Sequence, residues 1–365
     1  MRKESKRILL VVGTRPNFVK ITQFPKLCKG RFDLTIVHTG QHSDDKMALV
    51  FFQQFGFTPD LFLDTERGST EVQMASITKG LEKVCADLVP DLMIVVGDVN
   101  STVAAARVAS KMKIKLAHVE SGLRSFDLTM PEEHNRIATD NISDHFFVTE
   151  QSGIDNLLKE GNPSERIHFV GNTMIDTLVA FQSQIDASGV LQKLVVEEKQ
   201  FVLMTMHRPA TVDFKEGLGK LVELINDISK KYKIVFPIHP RTLKNFKELN
   251  LSDDLDKNKN LVLTEPLDYF SFQKLVKSCK LIITDSGGIQ EESTFLRVPC
   301  LTLRNNTERP STITIGSNEL VPFNLADIRR KILEIEEGKF KKGGIPPLWD
   351  GKATERIVDV LLKEL

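Results

Sequence analysis

The 365-residue chain carries no surplus charge, since Lys plus Arg and Asp plus Glu number 49 each. That balance removes the electrostatic case for a nucleic-acid or membrane partner. Cysteine is scarce. Cys28, Cys85, Cys279 and Cys300 are scattered, with no CxxC pair and no Cys/His cluster at zinc spacing. Reduced thiols in a cytoplasmic protein are therefore expected, with neither disulfides nor a metal site. No apolar run approaches membrane-spanning length. The basic stretch from Met1 to Arg7 is not followed by a signal-type apolar region with a cleavage site. Internal repeats and low-complexity segments are lacking. So are a GxGxxG fingerprint after the first strand, a GxxxxGK[ST] loop and any Ser-His-Asp arrangement.

What is present is a globular composition, 41% apolar and 27% charged, in a chain too long for one ordinary core. Short apolar runs alternate with longer amphipathic stretches. Strands are expected at 8–12, 34–38, 92–96, 115–119, 145–148 and 167–170. A second series is expected at 201–205, 234–237, 261–263, 281–284 and 300–303. This alternation predicts an α/β protein with parallel sheets and helices on both faces. The polar stretch 181–200 separates the two series. Two Rossmann-like domains with a central cleft are expected, over 1–172 and 173–352, and a closing helix over 353–365 that packs back on the first. Ligands of such sheets bind at the carboxyl ends of the strands, and the polar motifs all follow predicted strands.

The most informative motif runs from Thr284 through Asp285, Ser286, Gly287 and Gly288 to Glu292. Two glycines at a strand-to-helix turn let backbone approach a ligand, and the helix start offers free N–H groups to a phosphate. Glu292, one turn on, is placed to receive ribose hydroxyls. The ordinary alternative is a tight turn with Ser286 as N-cap. Asp98 follows one strand, where a capping role competes with a carboxylate aimed at a ligand. Glu120 follows the next, and the run Pro131-Glu132-Glu133-His134-Asn135-Arg136 comes shortly after. Clustered carboxylates suit proton transfer near neutral pH. His207 with Arg208, and His239 with Arg241, end two strands of the second series. Arg15 and Lys20 bracket a helix start and suit an anion. Phe272 is either a stacking aromatic or core.

Together these motifs resemble the non-hydrolysing UDP-N-acetylglucosamine 2-epimerase family. The match runs in order through Gly13-Thr14-Arg15-Pro16, Thr39-Gly40-Gln41-His42, Gly97-Asp98, His118 to Arg124, Pro131-Glu132-Glu133, Asn135-Arg136, Gly171-Asn172, His207-Arg208, Thr284 to Glu292, and Thr307-Glu308-Arg309-Pro310. The resemblance implies a two-domain GT-B fold, a homodimer, and interconversion of UDP-GlcNAc and UDP-ManNAc without NAD or an obligatory metal. It implies elimination of UDP to a 2-acetamidoglucal and re-addition. By resemblance Asp98, Glu120 and Glu132 are the acid–base carboxylates and His207 the catalytic histidine. Ser286, Gly287 and Gly288 form the diphosphate turn, Glu292 binds ribose, Phe272 lies on the uracil side, and Arg15 and Lys20 line the UDP side. Gln41, Arg67, Glu133, Arg208 and His239 resemble parts of an allosteric site for a second UDP-GlcNAc. Three departures stand out: Asn17 where many members have Glu, Pro209-Ala210-Thr211 where Arg-Glu-Asn is usual, and Asp44 where Gln is common. A hydrolysing epimerase, an epimerase of a related UDP-2-acetamido sugar, a GT-B glycosyltransferase and a non-catalytic nucleotide-sugar sensor are the competing readings.

Overall fold

The computed structural model describes residues 5–41 and 51–365. Contacts divide the chain into two units, Met1–Ala180 with Pro347–Leu365, and Phe181–Pro346. In the first, strands β1 (Arg7–Val12), β2 (Asp33–His38), β3 (Leu61–Phe62), β4 (Leu92–Val96), β5 (Lys115–Ser121), β6 (His145–Val148) and β7 (Ile167–Phe169) form one parallel sheet in the order β3-β2-β1-β4-β5-β6-β7. In the second, β8 (Phe201–Thr205), β9 (Lys233–Pro237), β10 (Leu261–Thr264), β11 (Leu281–Thr284), β12 (Cys300–Thr302) and β13 (Asn318–Leu320) form a parallel sheet in the order β10-β9-β8-β11-β12-β13. Both sheets are doubly wound. The strand order reverses between β1 and β4 and again between β8 and β11, and the carboxyl ends beside such a switch point form a ligand crevice.

Strands covered on both faces read as unbroken apolar runs. Every residue of β4 is buried. Along β8, Val202 and Met204 enter one core layer while Phe201 and Leu203 enter the other, as the two-residue period of a strand requires. The expected central strands are all found. Two edge strands, β3 and β13, were not expected: β3 is two exposed residues long, and β13 is three residues long and includes Asn318 and Glu319.

The first unit extends through helix Thr173–Ala180, past the expected boundary at 172, because that helix packs on helix Arg15–Ile21. Asp176, on the same helix, receives the chain's last segment. Its carboxylate accepts from the N–H groups of Ala353 (2.9 Å) and Thr354 (2.6 Å) and from the Thr354 hydroxyl (2.7 Å). These are the first two residues of helix Ala353–Glu364, so Asp176 caps it from a distance in sequence. The single tryptophan, Trp349, is buried and donates to the Thr149 carbonyl at 2.9 Å. The stretch 181–200 holds two short helices, Gln182–Asp186 and Val190–Lys193, and lies in the second unit. No helix among the described residues is long and apolar enough to cross a membrane. All four cysteines are free and buried.

Candidate functional site

In the first unit two candidate acids gather at the ends of β4 and β5. Gly97 leaves β4 with φ at +67° and delivers Asp98 to the start of helix Asn100–Met112. Glu120 has φ at +72° and lies where the pairing of β5 with β6 shifts register between Val119 and Ser121. A bulge of this kind re-aims a side chain. The Glu120 carboxylate is buried and paired with the buried Lys20 amine. A Cβ on Gly97 would come within 3.2 Å of Lys20 Nζ and 3.5 Å of Glu120 Oε2. The ion pair therefore lies against the peptide that precedes Asp98.

Asp98 is 26% exposed and pairs with Arg136 Nη1. Arg136 and Asn135 come from helix Pro131–Asp140, and Asn135 Nδ2 also donates to the Asp98 carbonyl at 2.9 Å. Glu132 is exposed on the first turn of that helix, one turn before these contacts. Lys20, expected on the UDP side, pairs with Glu120. Arg15 begins helix Arg15–Ile21 and lies 4.5 Å from the centre of the Phe51 ring. Asn17 accepts from the N–H groups of Gly13 and Thr14, each at 3.1 Å, and donates to the Val96 carbonyl at 3.0 Å. Its amide ties the turn after β1 to the end of β4, a bond a carboxylate does not donate.

In the first unit, two residues resembling parts of an allosteric site are engaged within the chain. Gln41 Oε1 accepts from the Ser101 N–H (2.9 Å) and hydroxyl (2.6 Å). Glu133 is buried and accepts from the Ser125 N–H, the Ser125 hydroxyl and the Phe126 N–H, each at 2.9 Å, and from Arg136 at 2.7 Å. Burial pushes its carboxyl up, but these donors outweigh it and hold the group below the ordinary range. Arg67 is exposed. His42 and Asp44 lie outside the described residues.

In the second unit the candidate residues lie at the β8–β11 switch. Asp285, fully buried after β11, accepts from the N–H groups of His207 (3.0 Å) and Arg208 (2.9 Å), and its Oδ1 is 3.1 Å from His207 Nδ1. Burial raises the Asp285 carboxyl, but the His207 ring and the two amides outweigh it, so the group is held low. A carboxylate on Nδ1 fixes the orientation of the ring and leaves the chemistry to Nε2. Arg208 Nε donates to the Asp285 carbonyl at 2.8 Å.

The glycine turn follows directly. The Ser286 N–H is held by the Thr284 hydroxyl at 2.9 Å, and the N-cap of helix Gly288–Phe295 is Gly287, not Ser286. A Cβ on Gly287 would stand 2.8 Å from Glu308 Oε1 and 3.0 Å from Arg309 Nη1, so a larger residue there would have to displace the ends of those two side chains. Glu292 is buried one turn into the helix. Burial raises its pKa to about 7, opposed by a hydrogen bond from Gln273 and reinforced by Glu291. Phe272 is half-buried and packs on a core layer of the second sheet. His239 is exposed and caps helix Pro240–Glu248, its Nδ1 accepting from the Arg241 N–H at 3.2 Å. The His207 and His239 rings lie 5.9 Å apart.

A family model described as UDP-N-acetylglucosamine 2-epimerase matches residues 26–362. A Methanocaldococcus jannaschii protein named UDP-N-acetylglucosamine 2-epimerase is 41% identical over 363 residues, covering 97% of this chain and 98% of its own. The chain belongs to the UDP-N-acetylglucosamine 2-epimerase family. The crystal structure of the M. jannaschii UDP-GlcNAc 2-epimerase in complex with UDP-GlcNAc and UDP matches with a TM-score of 0.89 at 39% identity, over 98% of this chain and 99% of that one. A Pseudomonas aeruginosa relative, UDP-2,3-diacetamido-2,3-dideoxy-D-glucuronate 2-epimerase, is 36% identical over 363 residues, 98% of this chain and 99% of its own. The fold is of the family's GT-B type, built on two doubly wound sheets.

Family motifs name the strand-end residues, but sequence reasoning passes over the partners that hold them. Asp285 stands inside the most informative motif yet was given no role. Its signal was position: it follows β11 as His207 follows β8, and those strands are parallel neighbours. Arg136, within the run from Pro131, bridges Asp98 and Glu133, which lie on different elements.

Proposed function

We propose that the protein interconverts UDP-GlcNAc and UDP-ManNAc by moving the hydrogen at C2 of the sugar. A carboxylate among Asp98, Glu120 and Glu132 removes the C2 proton. The C1–O bond to UDP breaks, its electron pair leaves with the diphosphate, and the sugar becomes a 2-acetamidoglucal with a C1–C2 double bond. Protonation at C2 from the opposite face and reattack of UDP at C1 complete the reaction, so atoms and charge balance. The observation that carries this reading is the Glu120–Lys20 pair lying against the Gly97–Asp98 peptide. It gives one sheet end two carboxylates with different surroundings, one buried on an amine and one partly exposed on a guanidinium.

The second unit supplies the grip on the leaving group. His207, oriented by Asp285, meets the departing diphosphate, the free N–H groups at Ser286 to Gly288 receive its oxygens, and Glu292 receives ribose hydroxyls. The protein acts in the cytoplasm as a homodimer and takes a UDP-sugar; its four unpaired cysteines suit a reducing compartment. Sedimentation of the purified protein tests the dimer. Incubation with UDP-GlcNAc in deuterated water tests the chemistry: deuterium enters C2 and UDP-ManNAc rises to an equilibrium. Absence of exchange overturns the reading, and steady release of free ManNAc replaces it with hydrolysis. The P. aeruginosa relative supports a second substrate, a 2,3-diacetamido UDP-sugar, and the same exchange experiment on that sugar decides between them.

A further inference from the structure

We propose that His118 and Asp140 are positioning residues for Asp98 and Glu120, holding the two left-handed turns on which those carboxylates stand. The proposal rests on the acid–base reading of Asp98 and Glu120. Neither His118 nor Asp140 reaches solvent: His118 has 0% and Asp140 1% of its surface exposed. Neither is thus a catalytic residue. Both act through backbone.

The His118 ring spans two oxygens. Nδ1 lies 2.7 Å from Asp140 Oδ1, and Nε2 lies 2.8 Å from the Gly97 carbonyl. The other Asp140 oxygen is 2.7 Å from Arg124 Nη2 and accepts from the Gly122 N–H at 3.1 Å. Burial opposes ionisation of Asp140, but His118 and Arg124 outweigh it and hold the carboxyl low. A carboxylate and a peptide carbonyl only accept, so each ring nitrogen faces an acceptor. The result is a buried chain of polar groups, His118, Asp140 and Arg124, that ends at the exposed Glu160, 2.7 Å from Arg124. Burying charges is costly, and well-packed apolar side chains commonly stabilise a core as well. Stability alone is a weak reason for this arrangement.

Its contacts give a better reason. The Gly97 carbonyl is held by His118, and the Gly97 N–H donates to the Val119 carbonyl at 3.0 Å. Both polar groups of Gly97 are therefore fastened to β5, the strand that carries Glu120. On the far side of Glu120, the Gly122 N–H is held by Asp140 and its carbonyl accepts from Asn156 Nδ2 at 2.9 Å. Gly97, Glu120 and Gly122 all have positive φ, at +67°, +72° and +77°. For Glu120 this conformation is strained and persists only where surroundings impose it. His118 and Asp140 bracket that strained residue and bolt the Asp98 turn to it, so one buried pair sets the separation of the two carboxylates.

The test compares the full-length His118→Gln and Asp140→Asn variants with the parent. Gln cannot reach both oxygens. His118→Gln should lower the rate of C2 exchange about 100-fold, the cost of a misplacement near 1 Å, with KM for UDP-GlcNAc changed less than about 3-fold. Asp140→Asn should be milder, because its amide can donate to Nδ1 of a neutral ring that still donates to Gly97 through Nε2. Amide hydrogen exchange gives a readout independent of turnover: in His118→Gln, Gly97 and Gly122 should lose protection while Leu92–Val96 keeps it. A folded His118→Gln with unchanged kcat, or with unchanged protection at both glycines, overturns the proposal. If His118→Gln does not fold, Asp140→Ala, which removes the acceptor facing both His118 Nδ1 and the Gly122 N–H, decides by the same two readings. If the parent exchanges no C2 hydrogen, the acid–base reading falls, and the protection of Gly97 and Gly122 still decides whether His118 holds the turns.

Discussion

Acidification should loosen the hold on a nucleotide sugar through one carboxyl group. Glu292 is buried, and burial raises its pKa from 4.5 to about 7. A ribose diol donates to a carboxylate, so binding draws on the ionised form alone. With a pKa near 7, roughly nine-tenths of the free protein is ionised at pH 8 and roughly one-tenth at pH 6. The apparent Kd for UDP-GlcNAc should rise about 10-fold between those values, or ~1.4 kcal/mol, and continue about 10-fold per pH unit below that until the complex itself takes up the proton. Isothermal titration calorimetry in two buffers of different ionisation enthalpy gives both the Kd and the protons released, about half a proton at pH 7. UDP-GlcNAc suits the assay because its diphosphate, esterified at both ends, does not titrate in this window. Glu292→Gln should bind more weakly at pH 8 but lose this slope, which separates Glu292 from other titrating groups. A parent Kd that is flat from pH 6 to pH 8 refutes the reasoning.

The same group acts on stability in the opposite sense. It ionises near 4.5 when the chain is unfolded and near 7 when it is folded. Its contribution is fully present below pH 4.5 and is lost as pH rises through 7. At pH 8 the ligand-free protein therefore forgoes about 3 kcal/mol. Urea unfolding of Glu292→Gln should recover much of this at pH 8 and little at pH 4.5.

Other outcomes follow from single contacts. Asp285→Asn removes the carboxylate on His207 Nδ1 and should cut kcat about 100-fold or more, with a smaller change in binding, as steady-state rates will show. Asp176→Ala strips three hydrogen bonds from the start of helix Ala353–Glu364 and should cost about 2–4 kcal/mol; Trp349 fluorescence during urea unfolding reports it. His145 and His168 stack at 5.9 Å, and burial holds both pKa values below 6.5, against Glu364 and Asp144, which pull His145 upward, and with Lys115 and Arg166, which push it down. Stability from this pair is present above pH 6.5 and lost as the pH falls through the folded values, so replacing both with Phe should flatten the acid side of a Tm-versus-pH curve.

What the sequence reveals of this fold follows from burial. Central parallel strands such as β4 and β11 are buried along their whole length and appear as apolar runs. β13 does not, because its Asn318 is buried by pairing: it accepts from the Thr302 hydroxyl at 2.6 Å and donates to Gln290 Oε1 at 3.1 Å. Two-residue β3 has both side chains exposed and no pattern to read. The candidate site divides in the same way. Glycine turns and strand-end acids are local features, and they were found where the motifs placed them in sequence. Their partners are not local. Glu120 meets Lys20 across 100 positions, and His207 meets Asp285 across 78.

This distinction changes the chemistry assigned to a residue. A lysine near a helix start suits a phosphate when read alone, yet the Lys20 amine neutralises a buried carboxylate, a partner it could leave for a phosphate only by stranding Glu120 as an unpaired buried charge. Ser286 suits a helix cap when read alone, yet Gly287 takes that position and the Thr284 hydroxyl holds the Ser286 amide. Glu133 suits a ligand-binding acid when read alone, yet its oxygens already serve Ser125, Phe126 and Arg136. In each case the residue type is compatible with two partners, and one of them lies within the chain. A motif therefore locates the strand ends where chemistry happens. What each side chain there already holds is settled by contacts distant in sequence, as Lys20 with Glu120 and Asp285 with His207 show.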